Sequence, residues 1–209
     1  MTASMEKVLI DICTNNETYF FRDDNPFIAL KEKLYPEFKK ANPGKQFKIW
    51  SCACSTGQEP LTILFSLLES NPSLSTSDIM LHASDISSEA LTKAKEGVYN
   101  GLDVQRGLPI MLLMKNFESL DDNHWKIKKH IHDLIEFKQF NLLHDYFPAK
   151  MYDLIYCRNV LIYQDKENKN AILQNILKAL KPDGHLIMGA GESLIGSDIK
   201  MSQLSISNT

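Results

Sequence analysis

Residues 47–59 read Phe-Lys-Ile-Trp-Ser-Cys-Ala-Cys-Ser-Thr-Gly-Gln-Glu. The beginning of this stretch favours a β-strand, and the small residues that follow favour a tight turn. Apolar residues at helical spacing come next and predict a helix; they are Leu61, Ile63, Leu64, Leu67 and Leu68. Strand, turn and helix in this order are typical of a nucleotide pocket in a doubly wound α/β sheet. Small side chains let a ligand approach the backbone, and the helix N-terminus presents free N–H groups.

The turn itself limits which ligand such a pocket can hold. It contains neither the full Gly-x-Gly-x-x-Gly pattern of dinucleotide sites nor the Gly-Lys-Ser/Thr of phosphate loops. Glu59, just inside the helix, would repel a phosphate and suits a ligand that carries hydroxyl groups or a positive charge. We therefore expect a ligand other than a pyrophosphate.

The composition predicts one domain, or one domain with a small insertion. The chain has 209 residues and a formal net charge of −3, which argues against nucleic-acid binding as its main task. No apolar run approaches the roughly 18 residues that span a bilayer, and residues 1–7 lack the features of a secretory signal. We expect no stable membrane insertion.

The four cysteines include no C-x-x-C pair, and we interpret them as reduced thiols of a cytoplasmic protein without a metal site.

Strands and helices alternate along the chain as expected for a mostly parallel sheet. The predicted strands are residues 47–53, 79–84, a third that ends at Asn141-Leu142, 151–157 and 185–189, with a possible further one near 204–206. The predicted helices include residues 26–40, 58–70, 89–96 and 165–180. We expect an N-terminal helical and lid segment at 1–46 and a ligand-binding domain at 47–209. An inserted subdomain is predicted at about 98–133, where the alternation breaks down.

Charged and amide side chains follow two of the predicted strands. Asp85 comes directly after the second strand, where doubly wound folds place an acceptor for ribose hydroxyl groups, and we favour this role over that of a helix cap. Arg158 and Asn159 follow a continuous apolar strand. They are expected at the carboxyl edge of the sheet, where open sheets bind ligands.

Residues 14–23 read Thr-Asn-Asn-Glu-Thr-Tyr-Phe-Phe-Arg-Asp. One interpretation is a helix N-cap followed by an aromatic turn that faces the core, and this stretch alone favours that interpretation. The other is a lid across the pocket, with Asn16, Thr18 and Arg22 pointing inwards.

Taken together, the motifs resemble the catalytic domain of the chemotaxis receptor glutamate methyltransferases, over about residues 12–195. No single motif is specific to this family, but the order in which the motifs occur along the chain is specific to it. The matching stretches are residues 14–23, 50–60 (Trp-Ser-Cys-Ala-Cys-Ser-Thr-Gly-Gln-Glu-Pro), 83–86 (Ala-Ser-Asp-Ile), 141–143 (Asn-Leu-Leu), 152–163 (Tyr-Asp-Leu-Ile-Tyr-Cys-Arg-Asn-Val-Leu-Ile-Tyr) and 180–184 (Leu-Lys-Pro-Asp-Gly).

This resemblance implies a class I S-adenosylmethionine-dependent methyltransferase fold, Rossmann-like, with a small inserted antiparallel β subdomain. It also implies which residues contact each part of the cofactor. These are Asn16, Thr18, Arg22 and Glu59 for the methionine side, Asp85 for the ribose, Asn141 and Leu142 for the adenine, and Arg158 and Asn159 for the rest of the pocket. Arg22 and Tyr163 are the implied catalytic pair, with Tyr163 near the reacting carboxylate.

The implied reaction is methyl transfer to glutamate side chains of chemoreceptor cytoplasmic domains or related signalling proteins, with S-adenosylhomocysteine as the product. A glutamate carboxylate is already ionised near neutral pH, so this reaction needs no general base. An arginine that holds the anionic acceptor and a tyrosine hydroxyl that orients it are sufficient.

The sequence departs from the family pattern in four places. Only 13 residues precede Thr14, where the family usually has a helical receptor-docking domain, and residues 196–209 hold at most one strand. Gln58 stands where a second acid is common. Residues 116–124 lack the glycine-rich loop of members that dock on a receptor tail peptide, so we expect no such docking.

Two alternatives remain open at this stage. The first is a class I methyltransferase with another protein or a small molecule as acceptor. The second is a regulatory module that binds S-adenosylmethionine without catalysis. No Asn-Pro-Pro-Tyr signature of amino-methylating enzymes occurs, so a nucleic-acid base ranks low as acceptor.

Overall fold

The computed structural model describes residues 3–194, 199 and 201–202. In chain order the elements are α1 (Ala3–Cys13), α2 (Asn25–Ala29), a π-helical segment (Leu30–Leu34), α3 (Tyr35–Ala41), β1 (Phe47–Cys52), α4 (Gln58–Ser70), β2 (Ile79–Asp85), α5 (Ser88–Glu96), β3 (Val98–Asn100), α6 (Gly101–Gln105), α7 (Ile110–Asn116), β4 (Phe117–Ser119), β5 (His124–Ile127), α8 (Lys129–His132), β6 (Ile135–Gln139), β7 (Tyr152–Cys157), a 3-10 helix (Leu161–Tyr163), α9 (Lys166–Ala179) and β8 (Leu180–Met188). The strand predicted near residues 204–206 lies outside the described residues.

The central sheet has five strands in the order β6-β2-β1-β7-β8, and all neighbouring strands are parallel. The chain starts at β1, builds outwards through β2 to β6, and then crosses to β7 and β8 on the other side. Ile49 in β1 therefore pairs with Leu81 on one side and with Leu154 on the other. This reversal of strand order opens a crevice at the carboxyl ends of β1 and β7. The doubly wound α/β fold predicted from the sequence is confirmed.

Helices cover both faces of the sheet because its middle strands are apolar on both sides. Every residue of β7 is buried. On one face, Leu61 and Leu64 of α4 belong to a core that also contains Phe27 and Leu30 from the N-terminal helices. On the other face, α9 packs through its buried apolar residues, of which Ile176 joins a second core. The sheet is thus held rigid, with its carboxyl edge free to form a site.

A small antiparallel sheet lies between α5 and β6 in the chain. Its order is β3-β5-β4. Tyr99 of β3 and Phe117 of β4 place their rings 5.4 Å and 6.2 Å from that of Phe20, measured between ring centroids. This inserted sheet therefore packs directly against the segment that connects α1 to α2.

Two predicted strand limits differ from the structure by more than one residue. β6 ends at Gln139, before the predicted Asn141-Leu142, because Asn141 starts a turn in which its Oδ1 accepts from the Leu143 N–H at 2.9 Å. β8 begins at Leu180 rather than at residue 185. It pairs with β7 at Leu180 and again from His185, and an irregularity lies between these pairs.

Candidate active site

A cavity of about 310 Å³ lies at the carboxyl ends of β1, β2 and β7, beneath the segment at residues 14–22. Its volume falls in the range of small-molecule pockets, about 300–1,000 Å³. Most of the site residues predicted from the sequence line it: Asn16, Thr18, Arg22, Glu59, Asp85, Arg158, Asn159 and Tyr163. Asn141 and Leu142 are the two predicted residues that do not appear in its walls.

The turn after β1 has an unusual backbone that brings it close to β2. Ala53, Ser55 and Gly57 all adopt the left-handed conformation, with φ of 50°, 50° and 94°. Gly57 also has no room for a side chain, because a Cβ there would lie 2.9 Å from the Tyr99 hydroxyl oxygen. Gly57 is therefore needed for both backbone conformation and packing.

Asp85 links this turn to the end of β2. Its Oδ2 accepts from the Ser55 N–H at 2.7 Å, and its Oδ1 accepts from the Ser87 N–H at 2.9 Å. The N-cap of α5 is Ser87, whose hydroxyl accepts from the Ala90 N–H, so Asp85 does not cap that helix. Because each carboxylate oxygen has two lone pairs, Asp85 can still accept hydrogen bonds from a ligand in the cavity.

Burial raises the pKa of Asp85 above its ordinary value. Hydrogen bonds from the backbone of Ser87, Ser55 and Ile86 oppose this rise, and the nearby carboxylate of Asp11 adds to it. Asp85 therefore holds a proton more readily than an exposed aspartate does.

Arg158 lines the cavity and is held by three hydrogen bonds. Its Nη1 donates to Oε2 of Glu59 at 3.0 Å, and its Nη2 donates to Oδ2 of Asp23 at 2.9 Å and to the carbonyl oxygen of Arg22. The Arg158 side chain is only 1% exposed. Its Nε is buried and has no hydrogen-bond partner among the residues that the structure describes.

Glu59 was predicted to contact the ligand, and its carboxylate also has two protein partners. Oε1 accepts from the Ser51 hydroxyl at 2.7 Å, while Oε2 pairs with Arg158. Burial raises the pKa of Glu59, although the charge of Arg158 opposes the rise. Glu59 therefore connects α4 to the end of β7 as well as lining the cavity.

The segment at residues 14–24 contains no helix, so the N-cap interpretation of this stretch is wrong. Its aromatic part does face the core, because Phe20 is fully buried. The Ser55 hydroxyl donates to the carbonyl oxygen of Asn16 at 2.7 Å, and the Phe21 N–H donates to the Thr62 hydroxyl at 3.2 Å. The segment is thus fastened over the cavity, with Asn16, Thr18 and Arg22 in its walls.

The loop that follows β7 forms the opposite wall. Asn159 is left-handed, with φ of 58°, and the 3-10 helix after it ends at Tyr163. The Tyr163 hydroxyl accepts from Nδ2 of Asn15 at 3.1 Å, and the residue is 59% exposed. Tyr163 therefore lies at the mouth of the cavity, where a large acceptor can reach it.

Sequence reasoning missed one residue that shapes this loop, Glu192. Its carboxylate accepts hydrogen bonds from backbone N–H groups at residues 159–162 and from Gly189. The signal was present, because the Gly-Ala-Gly-Glu at residues 189–192 closes the strand predicted at 185–189, at the same edge of the sheet.

Residues 16–209 match the family described as CheR methyltransferase, SAM binding domain. The chain belongs to this family. S-adenosylmethionine is therefore its methyl donor, and the resemblance drawn from the motifs is confirmed.

Curated relatives agree with this assignment. The chain is 40% identical to the chemotaxis protein methyltransferase Cher2 of Pseudomonas putida, over 92% of its own length and 71% of the relative. It is 39% identical to chemotaxis protein methyltransferase 1 of Pseudomonas aeruginosa, over 91% of its own length and 70% of the relative. A chemotaxis protein methyltransferase of Borreliella burgdorferi is 34% identical, with coverages of 90% and 68%.

Solved structures support the fold alone. The DszA carbon methyltransferase superposes with a TM-score of 0.50 at 17% identity, over 79% of this chain and 35% of that one. The CurJ carbon methyltransferase also gives 0.50, at 15% identity and coverages of 78% and 34%. This chain thus spans about a third of each of those proteins. Within the part of the chain that the structure describes, no helix is long and apolar enough to cross a membrane.

Proposed function

We propose that this protein methylates glutamate side-chain carboxylates of chemoreceptors in the cytoplasm, with S-adenosylmethionine as methyl donor. The observation that carries the proposal is the position of Arg22 and Tyr163, a cation and a hydroxyl group, in the walls of the cavity that Glu59 and Asp85 also line. The relatives named as chemotaxis protein methyltransferases support the choice of acceptor. We also propose the domain division predicted from the sequence: a helical and lid segment at residues 1–46 and a cofactor domain at 47–209, with an inserted subdomain at about 98–133.

The donors and acceptors around the cavity fit this cofactor. Asp85 offers carboxylate oxygens to ribose hydroxyl groups, and Glu59 offers negative charge to the methionine ammonium group. Arg158 lines the cavity beside them, and its positive charge suits the methionine carboxylate. Asn16, Thr18 and Asn159 add neutral polar groups.

S-adenosylmethionine supplies an electrophilic methyl group on a positively charged sulfur. The acceptor carboxylate oxygen forms the new C–O bond as the C–S bond breaks, and no proton is transferred. Arg22 would hold the anionic acceptor and Tyr163 would orient it in line with the methyl group. The segment at residues 14–22 excludes water that would otherwise solvate the acceptor.

The decisive experiment is transfer of a labelled methyl group to receptor-containing membranes. A methyl ester is labile to base, so the label should be released as methanol on alkaline treatment. Membranes whose receptor carries alanine at its acceptor glutamates are the matched control and should take up no label. Binding of S-adenosylmethionine without transfer would instead support a regulatory module.

A first prediction concerns the ribose contact. Asp85→Ala should weaken S-adenosylhomocysteine binding by about 1.5–3 kcal/mol, the usual loss for a hydrogen bond to a charged group. Calorimetric titration measures this directly. Glu89→Ala, an exposed acid one turn further on, serves as the control. Unchanged affinity in Asp85→Ala would show that other groups hold the ribose.

A second prediction follows from the raised pKa of Asp85. The ionised carboxylate is the better acceptor for hydroxyl groups, so S-adenosylhomocysteine affinity should fall as the pH is lowered from neutral towards the ordinary aspartate pKa of about 4. The stability of the unliganded protein should respond in the opposite direction at this group. Because its folded-state pKa is raised, Asp85 contributes stability that increases as the pH falls through that pKa towards the unfolded-state value.

Calorimetry across this pH range tests the affinity, with Asp85→Asn as the matched control. The asparagine keeps the size of the side chain but cannot titrate, so its affinity should be lower and should depend less on pH. Equal pH dependence in the two proteins would assign the titration to another group.

A further inference from the structure

The wall of the cavity formed by the loop after β7 carries several lining residues, including Asn159 and Tyr163. The loop has few hydrogen bonds of its own. Tyr163 N–H donates to the Val160 carbonyl at 3.3 Å, and Gln164 N–H donates to the Leu161 carbonyl at 3.2 Å. The Leu161 side chain is buried and anchors the middle of the loop. The shape of the loop therefore depends on contacts from outside it.

Glu192, which is not among the residues that line the cavity, supplies those contacts. Its two carboxylate oxygens divide the backbone donors between them. Oε1 accepts from Val160 at 3.0 Å, Leu161 at 2.7 Å and Ile162 at 3.3 Å, and Oε2 accepts from Asn159 at 2.8 Å and Gly189 at 2.9 Å. One carboxylate thus holds the successive N–H groups of the loop.

The backbone conformation of the loop favours a negatively charged group at the position of the Glu192 carboxylate. The left-handed Asn159 turns the chain so that successive N–H groups converge, and such a concave arrangement favours a negative charge. Hydrogen bonds to a carboxylate are also stronger than those to a neutral acceptor. An uncharged side chain at residue 192 would leave part of this set of donors poorly satisfied.

Gly189 packs closely against both Asn159 and Glu192. A Cβ at this residue would lie 2.8 Å from Nδ2 of Asn159 and 2.9 Å from Oε2 of Glu192. The end of β8 is therefore packed directly against both the carboxylate and the loop. Lys169 fixes the neighbouring chain, because its Nζ donates to the Ser193 carbonyl at 2.7 Å.

We propose that Glu192 is a positioning residue for methyl transfer. Its carboxylate holds the loop in the shape that places Asn159 beside the cofactor and the Tyr163 hydroxyl at the acceptor. The part that concerns Tyr163 rests on the proposed function, while the part that concerns the loop and Asn159 does not. Glu192 does not line the cavity and therefore acts through the loop.

The test removes the charge of residue 192 and keeps the size of its side chain. In Glu192→Gln only the amide oxygen accepts, so the loop keeps the hydrogen bonds that reach this oxygen and loses those that met the other one. We expect kcat for receptor methylation to fall roughly ten- to a hundredfold, the scale of a small misplacement of catalytic groups. The KM for receptor and the affinity for S-adenosylhomocysteine should change by smaller factors. Hydrogen exchange in peptides that cover residues 159–163 should become faster, while that of β1 and β7 stays the same.

Two further variants make the result interpretable. Gly189→Ala keeps the carboxylate but pushes it away from Asn159, and should change kcat and loop exchange in the same direction. Glu167→Gln, an exposed acid in the first turn of α9, should behave as the wild type. If Glu192→Gln lowers the yield of folded protein, Gly189→Ala provides the same measurements.

The outcomes separate this proposal from the proposed function. If the wild type transfers no methyl group to receptors, the proposed function fails, and loop exchange together with S-adenosylhomocysteine affinity still tests the role of Glu192. Wild-type exchange at residues 159–163 in both variants would overturn the proposal, whatever the transfer rate. Faster exchange with wild-type kcat would overturn it as well, because the loop would then be loosened without consequence for transfer.

Discussion

Replacing Arg158 with methionine is expected to lower the free energy of unfolding by about 3–5 kcal/mol, the range for removing one partner of a buried ion pair. Methionine keeps much of the packing over the Phe27 ring, which lies 5.4 Å from the guanidinium carbon. What is lost is the charge that compensates Glu59, whose side chain is only 13% exposed. Asp23 is 38% exposed, so solvent screens it and it contributes less to the loss. Chemical denaturation measures the effect.

A double-mutant cycle shows whether the loss comes from the uncompensated carboxylate. Arg158→Met combined with Glu59→Gln should recover part of the stability, because the remaining buried amide carries no charge. Lys129→Met is the control, since Lys129 pairs with Asp133 on the exposed surface at 2.8 Å and should change stability by no more than about 0.5 kcal/mol. A loss below about 1 kcal/mol in Arg158→Met, the scale of a surface pair, would contradict a structural role for the buried pair.

Much of the fold and of the site could be predicted because both depend on local patterns. The continuous apolar run before Arg158 predicts a buried strand, and the small residues before Gln58 predict a turn into a helix. In a parallel sheet the carboxyl ends of strands meet at one edge. Residues at the carboxyl ends of different strands, such as Asp85 and Arg158, therefore line the same cavity although they lie far apart in the sequence.

The partners within the site could not be predicted, because they depend on packing between distant segments. Arg158 is separated from Asp23 by 135 residues and from Glu59 by 99. Nothing in the sequence near Glu59 indicates that its carboxylate is shared with an arginine. The end of β6 was placed too late for a related reason: the apolar pattern continues beyond Gln139, but the side chain of Asn141 starts a turn. The adenine contacts proposed for Asn141 and Leu142 stay a prediction.

The two residues at the acceptor side should have the largest effects on catalysis. Tyr163→Phe is expected to slow single-turnover methyl transfer roughly ten- to a thousandfold, which corresponds to about 1.4–4 kcal/mol in the barrier. In the wild type, the Tyr163 hydroxyl accepts a hydrogen bond from Asn15 at the mouth of the cavity. Phenylalanine keeps the ring but removes this hydroxyl. Cofactor affinity should change little. Tyr146→Phe removes a hydroxyl from another exposed tyrosine and is the matched control.

Arg22→Lys should impair both transfer and cofactor affinity, because lysine keeps the charge but lacks the planar fork that binds a carboxylate through two N–H groups. The structure offers a close control in Arg106. Both guanidinium groups pack over the ring of Tyr19, at 5.5 Å for Arg22 and 4.9 Å for Arg106, but only Arg22 is among the residues that line the cavity. Arg106→Lys should therefore transfer methyl groups at the wild-type rate. Single-turnover transfer at the wild-type rate in both Arg22→Lys and Tyr163→Phe would show that other groups hold the acceptor carboxylate. This pair of residues would then have no catalytic role.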